Sequence, residues 1–245
     1  MRIAALSDIH GNLPALEAVL SDVEQERPDL IICCGDVASG PMPAETIELL
    51  RKLKDVRFVR GNADRGLIDE FDGKTPSPMP GPFSSWCAAQ IDREQRDFLA
   101  TFEDRVEIDG VLFCHASPRN DTDVFSVESP DDRVRFLMSG VRSGTVVCGH
   151  THMQFDRRVD HLRIVNPGSV GMPYGEPGAY WAILDNDVEM RRTDYDRERA
   201  AERMRDKHAD VAEQFAAENV LKVPSVAQAM ESLRGAEAKQ VAEQA

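Results

Sequence analysis

Apolar residues follow two rhythms in the first part of this chain. The short runs RIAALS at 2–7, DLIICC at 29–34 and VRFV at 56–59 each meet Asp or Gly within two residues, the pattern of buried strands and their exits. Between the first two, NLPALEAVLSDVEQE places apolar residues at 13, 16, 19, 20 and 23, a helical period, with Asn12 positioned as cap and Pro14 in the first turn. A second helix is expected over about 43–53, opened by Pro43. Strand and helix therefore alternate through the first 60 residues, as a parallel sheet requires.

Further along, DGKTPSPMPGP at 72–82 predicts an exposed loop, and helical spacing returns over about 84–103. VEIDGVLFCHAS reads as a hairpin turning at its DG, with the second strand ending at His115. A helix near 130–139 precedes the apolar strand of GTVVCGHTH, and alternating segments at 154–159, 161–165, 180–185 and 188–193 make the second half rich in strands. From about 195 the chain turns to Ala, Glu, Arg and Lys with helical spacing. The expected division is a catalytic domain over 1–194, with a loop and helical insertion at about 65–103, and a helical extension over 195–245. The extension's last stretch, GAEAKQVAEQA, has too few apolar groups to offset the entropy of ordering and is expected to fray.

Composition narrows the function. With 245 residues, 42% of them hydrophobic, the chain can bury a large core. Its formal net charge of -14 argues against strong nucleic-acid binding unless a positive centre is imported, and a bound metal would be one. No run of 18 apolar residues marks a membrane span. The five cysteines, Cys33, Cys34, Cys87, Cys114 and Cys148, show no CxxC spacing and read as buried reduced thiols, so a cytoplasmic protein is expected.

The chemistry gathers at strand ends. Asp8 and His10 follow the first strand in SDIHGN, and an extended backbone at that spacing would turn both side chains to one face. Asp36 follows the second strand in CGD, Asn62 the third in VRGNADRG, His115 another in LFCHAS, and His150 and His152 close CGHTH. The stretch VRGNADRG itself reads as a turn. Imidazole with carboxylate or amide oxygen suits manganese, iron, nickel, zinc or cobalt better than calcium. Seven donors exceed one tetrahedral ion, so two divalent ions sharing a bridging carboxylate are the economical reading.

In order from residue 8 to 152, the blocks DxH, GD, GN, a lone His and GHxH resemble the calcineurin-like metallophosphoesterases, and the NPGSVG at 166–171 is similar to their small bacterial and archaeal phosphodiesterase-like branch. The resemblance covers about residues 1–190. It implies an α/β fold of two facing mixed β-sheets flanked by helices, a four-layer αββα sandwich, followed here by the C-terminal helical extension. By position it implies one metal on Asp8, His10, Asp36 and His152 and a second on Asp36, Asn62, His115 and His150, with Asp36 bridging. It further implies in-line attack of a metal-bridging hydroxide, with Asp36, Asn62 and His115 serving catalysis through the hydroxide and phosphate positioning. A small, nucleotide-like phosphoester is the expected substrate class.

One departure is informative. Many relatives place a His directly after the Asn of GN, whereas this chain has Ala63. Loss of a positioned acid typically costs about 10² to 10⁴ in rate for a poor leaving group and little for an acidic one, so activated aryl esters, nucleotides or pyrophosphate linkages should suffer least, and the lean is toward phosphodiesters. A phosphomonoesterase or protein phosphatase is the enzymatic alternative, and a non-catalytic metal-bound scaffold the other. Asn12, a helix cap that can also reach phosphate, and Arg65 and Arg119, which could clamp it, are the candidate substrate contacts. Asp64 is expected to support the turn or a ligand. His161 and His208 read as ordinary residues, Trp86 and Trp181 as packing anchors, and Tyr174 as a border of the site. The amphipathic tail has three available partners: the site, the protein's own sheet, or a second chain of a homo-oligomer.

Overall fold

The first three strands, β1 (Ile3–Leu6), β2 (Leu30–Cys33) and β3 (Val56–Phe58), run parallel, with Leu6 opposite Cys33 and Cys33 opposite Phe58. The helices α1 (Leu13–Glu26) and α2 (Pro43–Leu50) connect them as right-hand crossover units demand. Asn12 caps α1, its Oδ1 accepting the Ala15 N–H at 3.2 Å. The computed structural model describes residues 1–74, 83–207 and 209–244.

Two expectations in this half need correction. VRGNADRG is not a free-standing turn: Asn62 begins α3 (Asn62–Phe71), and the Asp64 carboxylate reaches back to accept the Gly61 N–H at 2.9 Å. Gly, Asn and Asp suit a helix start as well as a turn, so composition alone did not separate them. The helical pattern over 84–103 divides into α4 (Ser84–Ala88) and α5 (Arg93–Ala100), because Asp92 stops and recaps the chain by accepting the Gln95 N–H at 2.9 Å. Most of the predicted loop at 72–82 lies outside the described residues, as does His208.

The hairpin forms as β4 (Arg105–Ile108) and β5 (Val111–Cys114), with Asp109 at φ 49° and Gly110 at φ 76° supplying the left-handed pair such a turn needs. After α6 (Asp131–Leu137) come β6 (Thr145–Cys148), β7 (Phe155–Val159), β8 (Leu162–Asn166), β9 (Ala179–Leu184) and β10 (Val188–Thr193). They complete two mixed sheets, ordered β10-β9-β1-β2-β3 and β4-β5-β6-β8-β7. Alternation along the strands assigns the layers. Ile3 and Ala5 meet Phe113, Val147 and Val165 between the sheets, while Ala4 and Leu6 turn outward to the layer of α1 to α5. On the far face Cys114, Val146 and Cys148 pack on Val134 and Leu137 of α6. The order is helices, sheet, sheet, helix. All five cysteines are free and buried in these layers, and Trp181 is buried with its Nε1 donating to Thr193 Oγ1 at 3.0 Å.

The extension comprises α7 (Arg197–Arg205), α8 (Asp210–Phe215), a π-helical stretch at Ala216–Leu221, and α9 (Val226–Gln244). Its first part buries Ala201, Met204, Phe215 and Val220 against Leu13 and Met42. As far as Gln244 the end is a docked helix rather than the frayed segment expected. Gln240 accepts the Val124 N–H at 2.8 Å and donates to the Thr122 carbonyl at 2.6 Å, Arg133 donates to Gln244, and Arg234 pairs with Glu128. Polar docking replaces the apolar burial whose scarcity suggested disorder. Among the described residues no helix is long and apolar enough to cross a membrane.

Candidate metal centre

The segments leaving β1, β2, β3, β5 and β6 meet, and they bring all seven predicted ligands together. Asp8, His10 and His152 form one group and Asp36, His115 and His150 another, the donor atoms within each lying within 4.8 Å of one another. An amide atom of Asn62 stands 3.0 Å from His115 Nε2 and 3.0 Å from His150 Nδ1, which joins it to the second group. Asp36 Oδ2 lies 3.4 Å from His115 Nε2 and 3.8 Å from His10 Nε2, so this carboxylate faces both groups.

The local backbone is not the extended one expected from i, i+2 spacing. Asp8, His10, Asp36, His150 and His152 all have left-handed φ, between 49° and 66°. Such φ is uncommon outside Gly, Asn and Asp, and it folds each strand exit back on itself so that its side chain points inward. Equal spacing does not mean a shared group: Asp8 and His10 lie together, while His150 and His152 are divided between the two, as the resemblance implies. Close approach also dictates two glycines. A Cβ on Gly61 would fall 2.0 Å from Asp36 Oδ1, and one on Gly149 2.6 Å from Asp8 Oδ2.

Backbone carbonyls orient three of the rings. The Nδ1 atoms of His10, His115 and His152 face the carbonyls of Ser39 at 3.2 Å, Cys34 at 2.7 Å and Met172 at 2.9 Å. Donation there fixes the tautomer and leaves Nε2 as a bare electron pair turned into the site, the usual support for a metal-binding imidazole. His150 instead presents Nδ1, and its own N–H donates to Asp8. Asp64 accepts from the N–H groups of Asp36 at 2.8 Å, Val37 at 2.9 Å and Gly61. Asp36 Oδ1 in turn accepts the Ala63 N–H at 2.8 Å. Asp64 thus ties the exits of β2 and β3 together, the supporting role its position suggested.

The electrostatics suit a pair of cations. His10 Nε2 and His152 Nε2 lie 3.2 Å apart, and both rings spend their Nδ1 protons on carbonyls, so two lone pairs face each other unless a proton or a metal lies between. Burial lowers the pKa of every ring here. For His115 the Asp36 carboxylate outweighs burial and raises it to about 10, and for His152 Asp8 does the same in direction. Burial together with the neighbouring imidazole keeps His150 down at about 4 and lowers His10. Burial opposes ionisation of Asp8 and Asp36, yet His152 and His115 respectively hold both carboxyls below the ordinary range. Each group thus pushes one imidazole toward protonation and the other away, where a borderline divalent ion would serve the whole donor set. Burial and the Asp36 charge push Asp64 up to about 7 despite its backbone donors.

The predicted substrate contacts are placed less uniformly. Arg65 and Arg119 line a cleft of about 390 Å³ that opens at His115. Arg65 pairs bidentately with Asp121, at 2.7 and 3.0 Å, and the Arg119 guanidinium rests 3.9 Å over the Phe136 ring. Asn12 is fully buried: besides capping α1, its amide donates to the Gly171 carbonyl and to Tyr195 Oη. Tyr174 stacks on His152, its ring centroid 5.7 Å away. The orienting carbonyls escaped sequence reasoning because any residue type supplies one. Arg60, which also lines the cleft, adjoined a motif already singled out and was detectable there.

Residues 1–189 match the calcineurin-like phosphoesterase superfamily domain. The chain is 30% identical over 198 residues to the phosphodiesterase YfcE of Escherichia coli K12, covering 77% of this chain and 89% of that protein. Its structure is similar to a metallophosphoesterase of Sphaerobacter thermophilus, with TM-score 0.74, 29% identity, and 90% and 99% of the two chains covered. A hypothetical protein of Pyrococcus horikoshii OT3 shares the fold at TM-score 0.75 and 21% identity, covering 88% and 97%.

Proposed function

Because the chain belongs to the calcineurin-like phosphoesterase superfamily, we propose that it is a two-metal phosphoester hydrolase favouring phosphodiesters of nucleotide size. The observation that carries this reading is the pair of histidine and carboxylate groups that both face Asp36. Asp8, His10, Asp36 and His152 would hold one ion, and Asp36, Asn62, His115 and His150 the other, with manganese, iron, nickel, zinc and cobalt all compatible with these donors. Such ions supply a water nucleophile at neutral pH and offset charge on phosphoryl oxygens. The five unpaired buried thiols support a reducing, cytoplasmic setting.

The protein's own groups do the remaining work. Asp36 holds the two halves in register, and Asp64 fixes Asp36 through the backbone on either side of it. Arg65 and Arg119 supply cations at the edge of the site for the substrate's phosphate. Ala63, buried beside Asp36, offers no proton to a departing oxygen, which favours leaving groups that need none. Similarity to the phosphodiesterase YfcE supports the diester preference. Metal-loaded protein should hydrolyse a bis-aryl phosphodiester with higher kcat/KM than the matched monoester, and Asp36→Asn or His115→Ala should abolish the reaction. Activity untouched by both substitutions would overturn the assignment.

A further inference from the structure

The cleft beside His115 is unusual for a protein with a net charge of -14, since Arg60, Arg65, Arg105 and Arg119 converge on it against only Asp104 and Asp121, leaving its lining two charges positive. The two pairs are Arg60 with Asp104 and Arg65 with Asp121. Among the described residues neither Arg105 nor Arg119 has a carboxylate partner. Arg119 is held instead on the face of Phe136, where the ring quadrupole restrains the guanidinium without neutralising it. Two of the four guanidinium groups, those of Arg105 and Arg119, are thus left to attract an anion, and their forks match phosphate oxygens.

The frame of the cleft is fixed in advance. Arg60 is anchored at the exit of β3, its N–H donating to the Glu103 carbonyl at 2.7 Å. The opposite wall, residues 117–123, is tied down by Ser117 Oγ donating to Asp123 at 2.6 Å and by Asn120 Oδ1 accepting the N–H groups of Thr122 and Asp123. His115 belongs both to this lining and to the metal-ligand set. An anionic group attached directly to the reacting phosphoryl would therefore enter the arginines without leaving the metal centre. Ala63 adds an independent constraint, because a leaving group that receives no proton must be acidic, and a phosphate, with a second pKa near 6, is such a group.

Resting on the phosphoesterase reading above, we propose that the arginine cleft is a subsite for a second phosphate, and that the substrate class is a diphosphate or longer polyphosphate ester of nucleotide type, cleaved at the anhydride. The attacked phosphorus in a disubstituted diphosphate still carries two ester-type linkages, so the diester preference is kept. In the reaction, water oxygen bonds to that phosphorus and the bridging P–O bond breaks. Its electron pair leaves with the departing phosphate, which the arginines hold, and the proton from water passes to solvent. No oxidant or further reactant is needed.

The test compares kcat/KM for a P1,P2-dinucleoside diphosphate and for bis(p-nitrophenyl) phosphate in wild type, Arg60→Gln and Arg105→Gln, using the full chain loaded with manganese. Wild type should prefer the diphosphate, and each variant should lower the diphosphate-to-aryl ratio by about tenfold. In parallel, titration of the full chain without metal with tripolyphosphate should show binding weakened at least fivefold in each variant, with folding checked by circular dichroism. An unchanged ratio in both variants, or unchanged tripolyphosphate binding, overturns the subsite. Failure of wild type to hydrolyse either compound would instead overturn the phosphoesterase reading, and the tripolyphosphate titration would still decide the cleft.

Discussion

The two ligand groups each join one carboxylate to two imidazoles, with Asn62 added to one of them, but lean on different parts of the molecule. The group of Asp36, Asn62, His115 and His150 is braced from within the sheet exits, by the Cys34 carbonyl under His115 and by Asp64 under Asp36. The group of Asp8, His10 and His152 depends on more distant support. His152 is oriented by the Met172 carbonyl, and three residues past Met172 the loop is pinned where the Gly175 N–H donates to the Pro224 carbonyl of the extension, at 2.8 Å. Both groups are braced by the sheet exits, but the ring of His152 also leans on a loop that is tied to the extension three residues on. Similar donor sets need not be equally robust.

The largest test removes what the two groups share. Asp36→Asn should lower activity by at least about 10³ and cut bound metal from two ions to one or fewer, read by elemental analysis of the purified protein. Retention of both ions would show that Asp36 does not link the groups. Next in size, Asp64→Ala leaves three buried N–H groups without an acceptor, and supporting residues of this kind typically cost about 10- to 100-fold in metal affinity or activity. The loss should fall first on the ion held with His115. Equal weakening of both ions would erase the contrast drawn above.

Acidity gives a subtler separation. A proton and an ion compete for the same Nε2, so raising the pH favours the ion, and the dependence persists until the ring's own pKa is passed. With His115 raised to about 10 and His150 lowered to about 4, uptake beside His115 should release one proton across the neutral range, with affinity gaining roughly tenfold per pH unit. Calorimetry in buffers of different ionisation enthalpy would count that proton, and a flat profile from pH 6 to 9 would contradict the assignment. Smaller still, removing residues 222–245 should weaken the ion beside His152 by less than about tenfold, and the other by less again, through release of the 122–124 backbone. Smallest is Gln240→Ala, expected to cost about 1 kcal/mol of stability by unpairing the 122–124 backbone, measured by denaturant midpoint.

Most of this was legible in the sequence. Period-2 and period-3.6 patterns marked the parallel strands and their helices, and strand-end Asp, Asn and His residues marked the site, because strand exits are where a sheet exposes converging chemistry. What could not be read was geometry carried by the backbone. The left-handed turns at Asp8 and His152 and the carbonyl partners of His10, His115 and His152 have no letter of their own, whereas the partition of His150 from His152 came only from the resemblance and not from their spacing. Asn62 is legible as a candidate ligand while the helix it starts is not, since the same three residue types serve turns and caps. Gln240 and Gln244 looked like a fraying end because their stabilisation comes from specific polar partners more than 100 residues away.

The left-handed ligand residues carry a consequence for descent. A position such as Asp8 or Asp36 answers to two demands, coordination and a backbone angle that few side chains tolerate, and only the first disappears when hydrolysis is no longer selected. A lineage that abandoned catalysis would still drift within the short alphabet of Asp, Asn, His and Gly at these sites. It would keep a ghost of the ligand pattern long after the ions were gone. For chains of this kind, retained letters testify to the shape of the loops as well as to the chemistry.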